Sequence, residues 1–318
     1  MRKQGVGMSR RRLLRLAAVA GAGAVLGGVP ALFAASGAER TATPVIRKSI
    51  PSSGETLPVI GIGTARRYDV GESEEERAPI REVLRLLPEL GGRGVDTAPS
   101  YGSAETVIGD LVAELGFRDQ LFIATKVRQQ DHDAALEEIE DSFRRLRTDR
   151  LDLLYVHNLV GWRHKLPVLR EMKDAGRIRY LGISTHSESQ YAQLQDIMEQ
   201  EELDAIQVDY AVDNRNAEER ILPLARERGI AVFTNLPFGR GRVFRALGEE
   251  SIPAWAAEYG IRSWAQFALM FVVSHPAVTV AIPGTATPAY ARDNVGTAHG
   301  TLPDEAVRRR MAALVDEA

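Results

Sequence analysis

Eight short apolar runs of strand character alternate with helical patterns along most of this chain. They are Val59 to Gly63, Val95 to Ala98, Leu121 to Thr125, Leu153 to Val156, Tyr180 to Ile183, Ala205 to Val208, Ala231 to Thr234 and Thr279 to Ile282. Near-continuous apolar runs mark strands buried on both faces, and a parallel sheet covered by helices is the structure that buries them so. Eight repeats of strand and helix point to an α/β fold with a closed parallel barrel. Upstream, VIRKSIPSSGETLPVIGIG reads as a hairpin that turns at SSGE and feeds the first barrel strand. At 318 residues there is room for such a barrel as one unit with extra helices.

The intervening helices carry their own patterns. AALEEIEDSFRRLR sets Leu136, Ile139, Phe143 and Leu146 along one face. SWAQFALMFVVSHP is apolar enough to be buried, and GEESIPAWAAEYGI reads as an insertion with a short helix. PDEAVRRRMAALVDEA is a final amphipathic helix whose three arginines are expected on a solvated face.

Charge is unevenly placed. The first 38 residues hold Arg2, Lys3, Arg10, Arg11, Arg12 and Arg15 and no acid, so the remainder has 34 basic against 43 acidic residues, a net charge of −9 in place of −3. An acidic body argues against nucleic acid as a partner. Cysteine is absent, which excludes disulfides, a thiolate nucleophile and thiolate metal ligation. The basic head is followed by an Ala/Gly-rich apolar stretch and a small-residue end, the layout of a signal peptide. Arg10 and Arg11, followed by Leu13 and Leu14, resemble a twin-arginine (Tat) export signal. The expectation is residues 1–38 as signal with cleavage after Ala38, 39–45 as linker, and 46–318 as the barrel domain. It carries with it the Tat machinery as a partner, a periplasmic or extracellular location, and a mature form not embedded in the membrane.

Chemistry gathers at strand ends. Asp96 and Tyr101 share GVDTAPSYGSAE, Lys126 ends LFIATK and His157 ends LDLLYVH. A parallel barrel brings the carboxyl ends of its strands into one ring, so an acid, a phenol, an amine and an imidazole would meet there. A free phenol ionises near pH 10 and donates a proton poorly at neutral pH; a neighbouring ammonium makes it useful. Lys126 offers that ammonium, and Asp96 would keep it charged where burial alone would neutralise it. His157 would hydrogen-bond the same acceptor oxygen. Each of the four has an ordinary structural use taken singly, and it is their joint placement that reads as a site. A metal-dependent hydrolase built on Asp96 and His157 would need further ligands at other strand ends, which the sequence does not offer, so no metal site is assigned.

VDTAPSYG, ATK and the strand-terminal YVH are similar to the motifs of the aldo-keto reductase family, and the similarity runs from about Ile50 to Ala298. The resemblance implies a (β/α)8 TIM barrel with an N-terminal β-hairpin and extra helices. It also implies a nicotinamide dinucleotide held without a GxGxxG motif, which this chain lacks, and reduction of an aldehyde or ketone with Tyr101 as general acid. On it, Gly63 and Thr64 lie near the nicotinamide, with Ser184, Thr185 and Gln207 on its carboxamide side. Asn235, Leu236, Pro237, Phe238 and Gly239 follow the cofactor, and Pro283, Gly284, Thr285 and Asn294 clasp its adenosine end.

Some positions depart from the family pattern. Thr185 stands where relatives often have Asn, and Asn235 where an aromatic often stacks on the nicotinamide. Gly284 and Tyr290 stand where basic residues commonly grip the 2′-phosphate, a role left to Arg292. The expected cofactor is NADP(H), with NAD(H) possible, and the expected partner a small-molecule carbonyl substrate bound by a monomer. Tyr68, Trp162 and Phe238 are expected at an aromatic mouth. A second reading within the resemblance is an exported nucleotide-binding redox sensor or regulatory subunit with slow turnover.

Overall fold

The computed structural model describes residues 44–248 and 250–318, so the expected export signal and its cleavage point lie outside the described residues. A hairpin of β1 (Arg47–Ser49) and β2 (Thr56–Pro58) precedes eight parallel strands. These are β3 (Ile62–Gly63), β4 (Gly94–Asp96), β5 (Phe122–Val127), β6 (Leu151–His157), β7 (Ile178–Ser184), β8 (Ala205–Asp209), β9 (Ala231–Asn235) and β10 (Val278–Ala281). Each pairs with the next in sequence order. The sheet's two ends meet where Gly61 N–H donates to the Ala281 carbonyl (2.9 Å) and Gly63 N–H to the Pro283 carbonyl (3.0 Å). The chain is therefore a (β/α)8 barrel with an N-terminal hairpin.

Around it run α1 (Glu74–Glu89), α2 (Ala104–Leu115), α3 (His132–Arg145), α4 (Trp162–Asp174), α5 (Tyr191–Gln200), α6 (Ile221–Glu227), α7 (Arg242–Leu247), α8 (Trp264–Ser274), α9 (Pro288–Gly296) and α10 (Glu305–Asp316). Ser73, Asp131, Ser263 and Asp304 cap α1, α3, α8 and α10, each side-chain oxygen accepting an otherwise unmet N–H of the first turn. Among the described residues no helix is long and apolar enough to cross a membrane.

Alternation along the strands builds two apolar layers. Phe122, Ala124, Leu153, Tyr155, Phe233 and Val280 fill the barrel, joined by Ile50 and Leu57 of the hairpin region, which plug its amino-terminal end. Ile123, Leu154, Val156, Ile183 and Ile206 point the other way, into the layer shared with the helices.

Two expectations about the helices are corrected. Leu136 is 37% exposed, and α3 buries Ala135 and Ser142 beside Ile139 and Phe143. Ser142 faces inward because it donates to Glu105, a fully buried carboxylate that also accepts from Thr125 Oγ1 (2.6 Å) and Arg145 Nε (2.8 Å). The arginines of α10 are not all solvated. Arg308 is buried and donates to the Phe271 carbonyl, Ser274 Oγ, Tyr210 OH and Glu218, tying α10 to α8.

Candidate active site

Strand parity sets the site. The residues that follow Phe122 and Ala124, or Leu153 and Tyr155, at the same inward parity are Lys126 and His157; β4, β7 and β9 end likewise on Asp96, Ser184 and Asn235, and Gln207 takes the same parity after Ala205 on β8. Sheet register puts Gly63 beside Asp96, His157 beside Ser184, and Ser184 beside Gln207. The top inward layer of an apolar barrel is therefore polar almost all the way round. Gly63 suits the lip because an added Cβ would lie 2.9 Å from the Ile282 carbonyl oxygen.

Within this layer Lys126 Nζ donates to Asp96 Oδ1 (2.6 Å) and to the Thr97 carbonyl (2.8 Å). Its side chain is 0% exposed. Burial lowers the pKa of an ammonium, but the Asp96 carboxylate and the Tyr101 oxygen outweigh burial here and hold Lys126 charged, above the ordinary lysine value. Gln207 Nε2 donates to the other carboxylate oxygen, Asp96 Oδ2 (2.8 Å), and Asn235 Nδ2 donates to Gln207 Oε1 (3.4 Å) and to the Thr185 carbonyl (2.9 Å).

Tyr101 arrives on the short 3-10 turn Pro99–Tyr101, with its N–H on the Ala98 carbonyl (3.0 Å). The turn ends on Gly102 at φ 64, where a Cβ would lie 2.1 Å from Asp69 Oδ1. Asp69 occupies that space to accept from Ser103 N–H (3.0 Å) and Oγ (3.2 Å), which anchors the turn. The Tyr101 ring centre is 5.2 Å from Lys126 Nζ and 6.2 Å from that of His157, the two rings standing edge to face. Burial, then the charges of Lys126 and Arg128, push the His157 imidazole down to about 3, so it is neutral at physiological pH. The structure brings all four of the sequence-derived residues together.

A cavity of about 970 Å³ opens over them, lined by Asp96, Tyr101 and His157, with Lys126 beneath. Gly63, Thr64, Ser184, Thr185, Gln207, Asn235, Leu236, Pro237, Phe238 and Gly284 also line it. Gly239, Pro283, Thr285, Arg292 and Asn294 are not part of that lining. Thr285 Oγ1 instead accepts from Thr287 N–H (3.1 Å), Asn294 is buried on α9, and Arg292 faces solvent, 3.4 Å from Glu82.

The aromatic mouth is corrected as well. Tyr68 is fully buried, Trp162 sits in the layer between strands and helices, and of the three only Phe238 reaches the cavity, its ring centre 5.1 Å from that of Phe244 and tilted 48° to it. Tyr68 packs in the main apolar core beneath its turn, and Trp162 is among the buried residues of α4.

Sequence reasoning missed the arginines. Arg66, Arg67, Arg128 and Arg240 all line the cavity. One signal was available: Arg240 lies between Gly239 and Gly241, and all three adopt positive φ. Among the described residues that line the cavity, two buried side-chain atoms find no hydrogen-bond partner, His157 Nδ1 and Asn235 Oδ1. An unpaired buried polar atom at the lip of a cavity fits a site that is completed by a bound polar molecule.

The chain matches the model of the "Aldo/keto reductase family" over residues 59–314. It is similar to the aldo-keto reductase YhdN of Bacillus subtilis (strain 168), 32% identical over 218 residues, which are 64% of this chain and 65% of that protein. It is also similar to the methylglyoxal reductase YeaE of Escherichia coli (strain K12), 30% identical over 256 residues, 78% of this chain and 88% of that protein. Among solved structures, an aldo-keto reductase from Klebsiella pneumoniae in complex with NADPH superposes with a TM-score of 0.70 at 25% identity, covering 86% of this chain and 95% of that one. The holo form of an aldo-keto reductase from Bacillus halodurans shares the fold, with a TM-score of 0.68 at 23% identity over 85% of this chain and 96% of that one.

Proposed function

From a chain that belongs to the aldo/keto reductase family, we propose an NADP(H)-dependent oxidoreductase that reduces an aldehyde or ketone to an alcohol, with Tyr101 as general acid. The observation that carries this reading is the buried Asp96–Lys126 pair, set beneath Tyr101 in a cavity near the upper end of the roughly 300–1,000 Å³ usual for small-molecule sites.

Reduced nicotinamide nucleotide supplies a hydride when bound. Glycines and small hydroxyls at Gly63, Thr64, Ser184, Thr185 and Gly284 leave room for it, and the unpaired Asn235 Oδ1 offers a buried acceptor. Tyr101 gives its proton to the carbonyl oxygen. The Lys126 ammonium stabilises the phenolate that remains, and Asp96, oriented by Gln207, keeps Lys126 charged. Neutral His157 orients the carbonyl oxygen without competing as an acid. NADP(H) over NAD(H) is supported by the NADPH complex of the Klebsiella relative and by Arg240, which lines the cavity and has no ion pair among the described residues.

The reading includes export through the Tat route, supported by Arg10 and Arg11 ahead of an Ala/Gly-rich apolar stretch. Changing both arginines to lysine should then keep the protein inside the cell.

Titration of the purified protein with NADPH, followed by protein fluorescence, tests the enzyme reading. Saturable binding together with NADPH oxidation on adding 4-nitrobenzaldehyde is expected. No binding of either NADPH or NADH would overturn it.

A further inference from the structure

The rim of the barrel divides into two arcs. The residues read as holding the nucleotide come chiefly from the ends of β7 to β10, whereas Asp96 and His157 end β4 and β6, Lys126 is next to last on β5, and Tyr101 lies just beyond β4. The sheet neighbours of β4 are β3 and β5. Both send arginine to the cavity, Arg66 and Arg67 after β3 and Arg128 after β5, so cationic loops flank Tyr101 on both sides.

These three guanidiniums are exposed at the mouth, and among the described residues none has an ion pair or a hydrogen-bond acceptor. On α1, by contrast, Arg77, Arg81 and Arg85 are each paired with a carboxylate. Asp96 is the one carboxylate in the cavity lining, and Lys126 and Gln207 already occupy it. Glu138 lies beside Arg128 but accepts from the backbone N–H groups of Arg128 (2.5 Å) and Gln129 (3.1 Å), which leaves the guanidinium free.

The loop after β3 is built to hold its arginines outward. Arg67 and Tyr68 N–H groups both reach the Thr64 carbonyl (3.1 and 3.2 Å), and the Tyr68 ring is fully buried below. Arg66 takes φ 61, a left-handed conformation that is strained for a residue with a side chain. A second hollow of about 450 Å³ shares Ser100 and Arg128 with the cavity.

We propose that the substrate is a carbonyl compound that also carries an oxyacid anion, carboxylate or phosphate, and that Arg66, Arg67 and Arg128 bind that anion at the mouth while the carbonyl reaches Tyr101. The proposal rests on the reductase reading of the site and adds the substrate's charge to it. Guanidinium forks match the oxygens of both anions, and exposed positive charge also steers anions toward the cavity in a salt-dependent way. That the charge of Arg128 contributes to the lowered His157 pKa places its field at the reacting end of the cavity.

The test compares 4-formylbenzoate with its methyl ester, and glyceraldehyde 3-phosphate with glyceraldehyde, as substrates with NADPH. Expected is a kcat/KM at least about 10-fold higher for the anion of one pair or both, carried by KM and shrinking from about 20 mM to about 500 mM salt. Which pair responds tells carboxylate from phosphate. Arg66→Ala/Arg67→Ala and Arg128→Ala should lower that ratio. Ratios near one in the unaltered enzyme, or variants that weaken NADPH binding and leave the ratios in place, overturn the proposal. If none of the four compounds is reduced, the reductase reading is decided by 4-nitrobenzaldehyde and nucleotide binding, and the anion claim is read separately by calorimetry. Benzoate should then bind more tightly than benzamide and lose that advantage in the arginine variants; equal binding overturns it.

Discussion

Gln207 holds Asp96 from across the barrel: its Nε2 donates to Asp96 Oδ2 at 2.8 Å, from β8 to β4, while Lys126 takes the other oxygen. Because the Gln207 Oε1 accepts from Asn235, the amide has one orientation, and the carboxylate is fixed at both ends. Removing a donor from a buried acceptor costs about 1–3 kcal/mol. Gln207→Leu should therefore lower the urea midpoint and reduce kcat about 10-fold through a looser Lys126. Gln207→Glu should be worse, since it sets a second carboxylate against Asp96. Unfolding curves and steady-state rates of the two variants check the order.

Lys126→Met leaves the Asp96 carboxylate buried without its counter-charge. Breaking a buried pair in this way costs about 3–5 kcal/mol. Adding Asp96→Asn in the same chain should return much of that stability without returning activity, which should stay about 10²–10⁴-fold down. A double-mutant cycle on unfolding free energy, run beside kcat/KM, separates the two effects.

Acid should weaken this fold through its histidines. Burial first, and then neighbouring cations, push His157 down to about 3 and His275 down to about 4. In the unfolded chain they titrate near about 6.5, so between these values the unfolded state binds more protons than the folded one. Stability contributed by the neutral rings is whole above about pH 6.5 and is lost as pH falls toward the folded values. His275 Nδ1 also accepts the Ala277 N–H (3.2 Å), which protonation would break. Urea midpoints at about pH 7.5, 6 and 5 should fall in that order, and His275→Gln should flatten the decline. An unchanged slope in that variant would remove His275 from the account.

Much of this was legible in the sequence because strand parity and motif spacing are local. Eight apolar runs located every barrel strand, though β5 to β9 extend a residue or more past the apolar stretch, since the polar Lys126, His157, Ser184, Asp209 and Asn235 are still strand. Asp96, Tyr101, Lys126 and His157 could be read because each follows directly from such a run. What could not be read depends on packing between distant segments. Arg308 is buried because Tyr210, Glu218 and the Phe271 carbonyl converge on it from other parts of the chain. Tyr68 and Trp162 point into the body and not into the mouth because their turns put them on the inner side. Arg66 and Arg128 are charged loop residues like many others until the fold places them in one cavity.

The central claim is that Tyr101 delivers the proton in a nicotinamide-dependent reduction, and Tyr101→Phe tests it most directly. Removing one hydroxyl from a half-buried ring that already packs against the core should leave the fold and NADPH affinity as they are. The account predicts unchanged NADPH quenching of protein fluorescence with kcat for 4-nitrobenzaldehyde down by about 10²–10⁴-fold. Turnover within about twofold of the unaltered enzyme, with NADPH still bound, would contradict it.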